Sequence, residues 1–449
     1  MLPAAEWFDS SVRSTFSKRL RDLPLSADMS LRISLPIRFG GFGLRPVVRV
    51  SPIAYACSLA SAAFDIVQLH VPASSSPSSS SSPSPSSSSP SSSSSPSSPS
   101  SSSSLPHSSL SSSSSSVPSS LSSSSSSVPV VVVGSGGSVV GLDVHVPLSL
   151  RSTPQSESLG RILSSLPSSS SLPKDLSGFW SRFGLSSPPP FLQRSVLRPV
   201  EKALFSDLKE RLSSSPLSSS SFSACLAPSS RAWLLALPSP SLYLSDREFS
   251  LASRLRLGLP PSDTLPSLCR CSARMVEDPG HFLSCPLLRP LARVRHDRLV
   301  RLLATLIQRA GGAAYVEPRY LEDKRPDIHA FFPDARFMLD VCVVHPSAPS
   351  RVDLAPCAAL RYREKGKVSA YESFAKEAGS RFVPFAFESF GGLGPAAISF
   401  LRDLASFAKE SFLSCEYIPS LSSLAVLLQK GNAEMLAQGI IISNRHAIQ

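Results

Sequence analysis

Cys269, Cys271, His281 and Cys285 stand in a C-x-C-x9-H-x3-C spacing. Zinc takes four tetrahedral ligands of this soft or borderline kind, and Cys3His is a known structural set. Cys269 and Cys271 can form one side of such a clamp. His281 and Cys285 are four apart and share one face of a helical turn, which Pro279-Gly280 can start. A closed four-ligand set leaves no open catalytic position, so the expected metal is a structural Zn²⁺. The competing reading is three unrelated cysteines and a surface histidine. His296 lies nearby and reads as a histidine on a helix surface.

About forty residues on come two spaced aspartates. Asp327 sits in Arg325-Pro326-Asp327-Ile328, and Asp340 in Phe337-Met338-Leu339-Asp340-Val341-Cys342-Val343-Val344. The residue before a proline is biased towards extended backbone, so Asp327 opens a strand. Asp340 lies inside an almost wholly apolar run, where a carboxylate is costly unless a cation or another partner holds it. Two such acids on adjacent strands can hold Mg²⁺, the arrangement used in metal-assisted phosphodiester cleavage. The alternative is a capping aspartate and a paired structural one. Further on, Lys365, Lys367 and Tyr371 lie on an expected helix, Lys367 and Tyr371 on one face of it. A lysine there can orient water or stabilise a pentavalent phosphate. Glu388 ends an expected strand and can support the site; taken alone, each of these is a common surface residue.

The elements that must position these groups follow from periodicity. A basic helix is expected over about Pro290–Ala310, with Leu291, Val294, Leu299, Leu302, Leu303 and Leu306 as its apolar stripe and Gly311-Gly312 as its stop. Strands are expected at Ala314–Glu317, Asp327–Phe332 and Phe337–Val344. A helix at about Ala355–Ala378, a strand at Arg381–Glu388 and a helix at Gly394–Ser411 come next. This order predicts an α/β fold, a small mixed β-sheet flanked by helices. Upstream, helices are expected at Glu6–Leu20, Pro52–Val67, Val196–Leu212, Arg231–Leu237 and Asp246–Leu257.

Composition narrows the partners. The formal charge is +12 over 449 residues, and Arg289 to Arg325 holds nine Arg/Lys against four Asp/Glu. Arginine suits phosphate contacts, so nucleic acid is the natural polyanion, although a solvated helix face explains the same residues. Eight cysteines are too few for a secreted disulfide framework, which fits a reducing, intracellular compartment. The N-terminus lacks a signal-peptide pattern and no run suits a membrane span. Ser74 to Ser104 is Ser and Pro alone, and Ser-rich sequence continues to Ser127. Such sequence buries too little apolar surface to order, so a long disordered linker is expected. Val131 to Gly141 imitates a dinucleotide loop, but its glycines are misspaced (134, 136 and 141) and no βαβ unit surrounds it.

From Cys269 to about Phe400 the chain resembles the C-terminal part of non-LTR retrotransposon proteins that carry a CCHC zinc knuckle and a restriction-like, PD-(D/E)xK-type endonuclease. The residues that carry the resemblance are the Cys/His set, Arg325-Pro326-Asp327-Ile328, Leu339-Asp340-Val341, Lys367 ahead of Tyr371, and Val383 to Glu388 with Gly391-Gly392. Leu35-Pro36, Gly40 to Arg45 and Ala54-Tyr55 resemble the segment just after such reverse transcriptases. The place two residues after the second acid, a lysine in restriction-type nucleases generally, is Cys342 here. The retrotransposon branch looks to carry its lysine on the next helix instead, so the resemblance implies Lys367, with Lys365 a close second. No Tyr-x-Asp-Asp polymerase motif occurs in the chain.

The resemblance implies a nuclear protein that nicks double-stranded DNA to prime reverse transcription, with element RNA as a further candidate partner. Asp327 and Asp340 would hold Mg²⁺, and Lys367 would act on water or phosphate. Tyr371 and Glu388 would support them, and Arg293, Arg295, Arg298 and Arg301 would dock phosphates. The other outcome is a catalytically inactive, zinc-stabilised nucleic-acid-binding remnant. The expected divisions are a helical remnant (1–70), linker (71–172), helical lead-in (173–264), knuckle (265–289), endonuclease (290–412) and C-terminal tail (413–449).

Overall fold

Strands form where β-branched and aromatic residues cluster, and one of them, the run through Asp340, organises the rest. The computed structural model describes residues 2–70, 153–168, 170–183, 190–237, 239–275, 278–318, 325–346, 358–413 and 415–446. The Ser/Pro tract and the Val131–Gly141 stretch lie outside them. The chain divides into two units, Met1–Ile66 with Val144–Gln449, and Val67–Asp143. The sheet and both candidate sites belong to the first.

The described residues form a mixed α/β structure of twelve α-helices, short 3-10 turns and four strands. The helices before the sheet are α1 (Leu2–Arg19), α2 (Ala27–Ser34), α3 (Val47–His70), α4 (Pro154–Ser164), α5 (Leu176–Phe183), α6 (Leu192–Leu212), α7 (Pro216–Ala224), α8 (Asp246–Leu257) and α9 (Arg289–Arg309). The sheet strands are β1 (Ala313–Val316), β2 (Ile328–Phe331), β3 (Arg336–Val344) and β4 (Arg381–Glu388). Helix α10 (Ala358–Glu377) lies between β3 and β4 in the chain, and α11 (Pro395–Glu410) and α12 (Tyr417–His446) come after β4.

The sheet order is β1-β2-β3-β4. β1, β2 and β3 are antiparallel neighbours, and β4 runs parallel to β3. Parallel strands need a crossover, which α10 supplies. Pro384 sits inside β4 because β4 is an edge strand, where a missing N–H costs no ladder bond. Side chains alternate along β3. Phe337, Leu339 and Val341 enter the main core with Leu299, Leu303, Phe400 and Leu424. Cys342 and Val344 face the other way and pack on Ala359 and Leu360 of α10. Asp340 shares that second face.

Helix α12 replaces the expected tail. Leu424, Ala425, Val426 and Leu428 join the core of the sheet, and Ala433, Met435 and Leu436 join the core around the cysteines. Two glycines permit the close approach. A Cβ at Gly431 would stand 2.5 Å from Arg295, and one at Gly439 would stand 2.3 Å from Phe282. A helix that is apolar on most sides reads poorly as an amphipathic stripe, which is why its pattern looks like no element.

Two further expectations change. The structured body includes α4, where Leu159 and Leu163 pack with Ile53 of α3 and Phe179 of α5, so the expected linker to residue 172 is too long. Arg231–Leu237 is not a helix: a 3-10 turn at Pro228–Arg231 gives way to turns. Upstream of the sheet, buried arginines join segments far apart in sequence. Arg32 of α2 donates to Leu257 O at 3.1 Å, Arg254 of α8 to Leu20 O at 2.8 Å, and Arg256 to Ser230 O at 3.3 Å. Burial lowers the Arg32 guanidinium to about 10, still charged at neutral pH. No helix among the described residues is long and apolar enough to cross a membrane.

Leu424 is fully buried. Leu424→Ala should therefore cost about 2–5 kcal/mol in urea unfolding, the loss expected for a core leucine and not for a residue in a loose tail.

Candidate functional site

The four metal-ligand candidates converge. Cys269 and Cys271 sit on a tight turn closed by Cys269 N donating to Ala273 O at 2.8 Å, with Ser272 at a φ of 68°. His281 opens a 3-10 turn, and Cys285 immediately precedes a second one, rather than the α-helical turn expected. The Sγ atoms of Cys269 and Cys285 are 3.9 Å apart, those of Cys285 and Cys271 3.7 Å, and Cys271 Sγ is 3.0 Å from His281 Nε2. All four ligand atoms lie within 4.8 Å of one another. Zn–S bonds of about 2.3 Å at tetrahedral angles place sulfurs about 3.8 Å apart, so the donors fit a zinc ion. Burial, then the neighbouring thiols, pushes Cys285 up to about 12, and burial raises Cys269 as well. Burial lowers His281, which favours the neutral imidazole that binds metal.

A buried polar chain joins the cluster to the sheet. Asp278, just ahead of His281, has Oδ1 3.5 Å from Nε2 of His345, the residue after β3. His345 Nδ1 contacts Ser389 Oγ at 2.7 Å. Ser389 O accepts from Asn432 Nδ2 at 2.7 Å, and Asn432 Oδ1 accepts from Arg295 at 2.6 Å. This corrects the expectation for Arg295: it is buried under α12, so it is not available to a phosphate. Arg298 is half-exposed and pairs with Glu434 at 2.6 Å. Arg293 and Arg301 are exposed.

The acidic pair is set by strand register. Ile328 faces Leu339 across β2 and β3, so Asp327 stands opposite Asp340. Lys367 Nζ reaches from α10 to within 2.6 Å of Asp340 Oδ2. Burial raises the Asp340 carboxyl, and Asp327 raises it further, while Lys367 and His296 act to lower it. Tyr371, one turn beyond Lys367, stacks on Phe382 of β4 with ring centres 5.2 Å apart, and Lys367 Nζ lies 5.6 Å from its ring centre. Lys365 is exposed on α10.

Two placements differ from expectation. His296 is not a plain surface histidine. Its Nε2 lies 3.3 Å from Asp327 Oδ2 and 3.1 Å from Val341 O. The hydrogen bond to Asp327 is the main reason its pKa rises to about 9. The sequence held a signal for this: His296 stands four before Val300 and seven before Leu303, both buried, and so belongs to the inward face of α9. Val294, expected in the apolar stripe, is exposed. Glu388 is buried but remote from the pair. It pairs with Val344 in register, four residues beyond the Asp340–Pro384 pairing.

No family model matches the chain. Over 133 residues it is 31% identical to the retrovirus-related Pol polyprotein from type-1 retrotransposable element R2 of Popillia japonica. The match covers 28% of this chain and 28% of that protein, so the chain spans well under a third of the length of the curated relative it matches.

The cysteine cluster and Glu388 each lend themselves to measurement. Purified protein should carry stoichiometric zinc by elemental analysis, and Cys285→Ser should lose it and unfold at lower denaturant. Burial alone raises Glu388 from 4.5 to about 7. An acid with a raised folded pKa stabilises the fold below its unfolded value and loses that contribution as pH rises through the folded one. Wild type should therefore lose up to about 3 kcal/mol between pH 4.5 and 7 from this group, and Glu388→Gln should remove that part of the slope in urea melts.

Proposed function

We propose that this chain carries a metal-dependent endonuclease domain that nicks double-stranded DNA, the activity by which a non-LTR retrotransposon primes reverse transcription. The observation that carries this reading is the opposition of Asp327 and Asp340 on neighbouring strands, with Lys367 on Asp340. Partial identity to an R2 retrotransposon Pol polyprotein supports it, as does the Cys3His cluster upstream of the acids.

Asp327 and Asp340 would hold Mg²⁺; two carboxylates, with substrate phosphate and water completing the shell, is a common mode for that ion. Bound there, the ion would supply positive charge at the scissile phosphate and make water a better nucleophile. Lys367 would leave Asp340 for the phosphate, where its ammonium meets the charge that develops in the transition state. Tyr371, held by Phe382, would set the position of the Lys367 side chain. Arg293 and Arg301 on α9 would meet backbone phosphates, which position a duplex without reading its sequence. Zinc would hold the cluster closed and take no part in cleavage. With chromosomal DNA as substrate, the protein would work in the nucleus.

The test is relaxation of supercoiled plasmid by the full chain in Mg²⁺. Asp340→Ala should abolish nicking, and EDTA should do the same. Lys367→Ala should lower it by about 100-fold or more, whereas Lys365→Ala should stay within about threefold. Arg293→Ala and Arg301→Ala should each weaken DNA binding across sequences and reduce the salt dependence by about one unit of slope. Salt-sensitive binding with no nicking by wild type would leave a zinc-stabilised nucleic-acid-binding remnant.

A further inference from the structure

Three elements meet at the Asp327 carboxylate. Asp327 immediately precedes β2, β3 offers the Val341 N–H, and α9 brings His296. Oδ2 takes both contacts: it accepts from Val341 N at 2.6 Å and faces His296 Nε2 at 3.3 Å. Among the described residues Oδ1 makes no hydrogen bond. The proton position on His296 follows from its other partner. Val341 O, 3.1 Å from Nε2, can only accept, so Nε2 carries hydrogen and is shared between that carbonyl and Asp327. On the far side of the ring, Nδ1 is 3.1 Å from Asp297 Oδ1, which fixes the ring plane.

We propose that His296 is a positioning residue for the acidic pair, locking Asp327 so that one oxygen is tied into the sheet and the other is presented to a divalent cation shared with Asp340. The inference rests on the reading of Asp327 and Asp340 as metal ligands. A carboxylate held by one backbone N–H can still swing about its last bond; a second donor from a different element stops that. Outer partners of this kind orient ligands, and their loss costs about 10–100-fold in metal affinity or activity. The contact also ties α9 to β3 at the residue after Asp340. The histidine therefore sets the spacing of the two carboxylates as well as the angle of one.

The test is Mn²⁺ binding to the zinc-loaded full chain, followed by the loss of the free-ion electron paramagnetic resonance signal, with plasmid nicking measured alongside. His296→Ala should weaken Mn²⁺ binding by about tenfold. In His296→Gln the amide nitrogen reaches the place of Nε2, and affinity should return to within about threefold of wild type. His296→Met, close to histidine in volume but without an N–H, should stay as weak as His296→Ala, whereas a packing role alone would let it recover with His296→Gln.

Wild-type affinity in His296→Ala, or His296→Gln as weak as His296→Ala, would overturn the inference. Mn²⁺ bound as tightly by Asp340→Asn as by wild type would remove the metal site and the inference with it. Mn²⁺ binding that depends on Asp340 and His296, without nicking by wild type, would sink the nuclease reading and leave the role of His296 intact.

Discussion

Two carboxylates face each other across adjacent antiparallel strands in a largely desolvated place, and much of the surrounding structure answers that constraint. Like charges so close raise each other's cost, and burial adds to it. The residues beside Asp340 in the sheet, Leu339 and Val341 along β3 and Pro384 across on β4, carry no charge. Compensation comes from outside it, Lys367 from α10 and His296 from α9. Both helices must sit close and in a fixed rotation for this to happen. The packing of Leu360 on α10 and of Leu299 and Leu303 along α9 is what fixes them. The result is a concentration of negative charge bracketed by Lys367 and His296.

The cysteine cluster depends on the same sheet by a different route. Cys269 and Cys285 are buried and Cys271 partly buried against a core shared with α8 and α12, and the ligand set contains no carboxylate to balance a metal's charge. The thiolates themselves must do so, which suits zinc and not a hard cation. From Asp278 a chain of polar contacts runs through His345 and Ser389 to Asn432 and Arg295. Buried polar groups of this kind are tolerated when paired and costly when not. The hydrogen-bonded part of that chain, from His345 through Ser389 to Asn432 and Arg295, joins the ends of β3 and β4 to α9 and α12. Residues Ala433, Met435 and Leu436 of α12, more than a hundred residues beyond the cysteines, pack in the same core as Cys269 and Cys285.

Similarity to part of an R2 retrotransposon Pol polyprotein fits a protein that works on nucleic acid, and the basic exposed positions of α9 fit the same partner. The buried members of that basic series serve the fold instead. Arg295 is committed to Asn432, and elsewhere in the chain Arg32, Arg254 and Arg256 tie the first seventy residues to α8. Counting arginines along a sequence cannot separate these two uses. A guanidinium that donates to backbone carbonyls inside a core and one that waits for phosphate are the same letter.

Local signals were legible where one short-range rule decides the outcome. The ligand spacing of Cys269 to Cys285, the bounds of α8 and β4, and the alternation that makes β3 a strand all follow from contacts a few residues long. So does the isolation of Asp340 in an apolar run, which marks it as a residue needing a cation. Composition alone also argued against an ordered core for the Ser/Pro tract. What stayed open in the sequence were matters of distance in space. It could not choose between Lys365 and Lys367 on spacing, because two residues along a helix turn the side chain by about 200°, and only the placement of α10 over β3 says which one meets Asp340. It treated His296 as surface and residues 413–449 as a tail, because the groups that claim them lie more than thirty residues away. Residue types and spacing determined what chemistry this chain can do; register and helix packing decided which atoms stand close enough to do it.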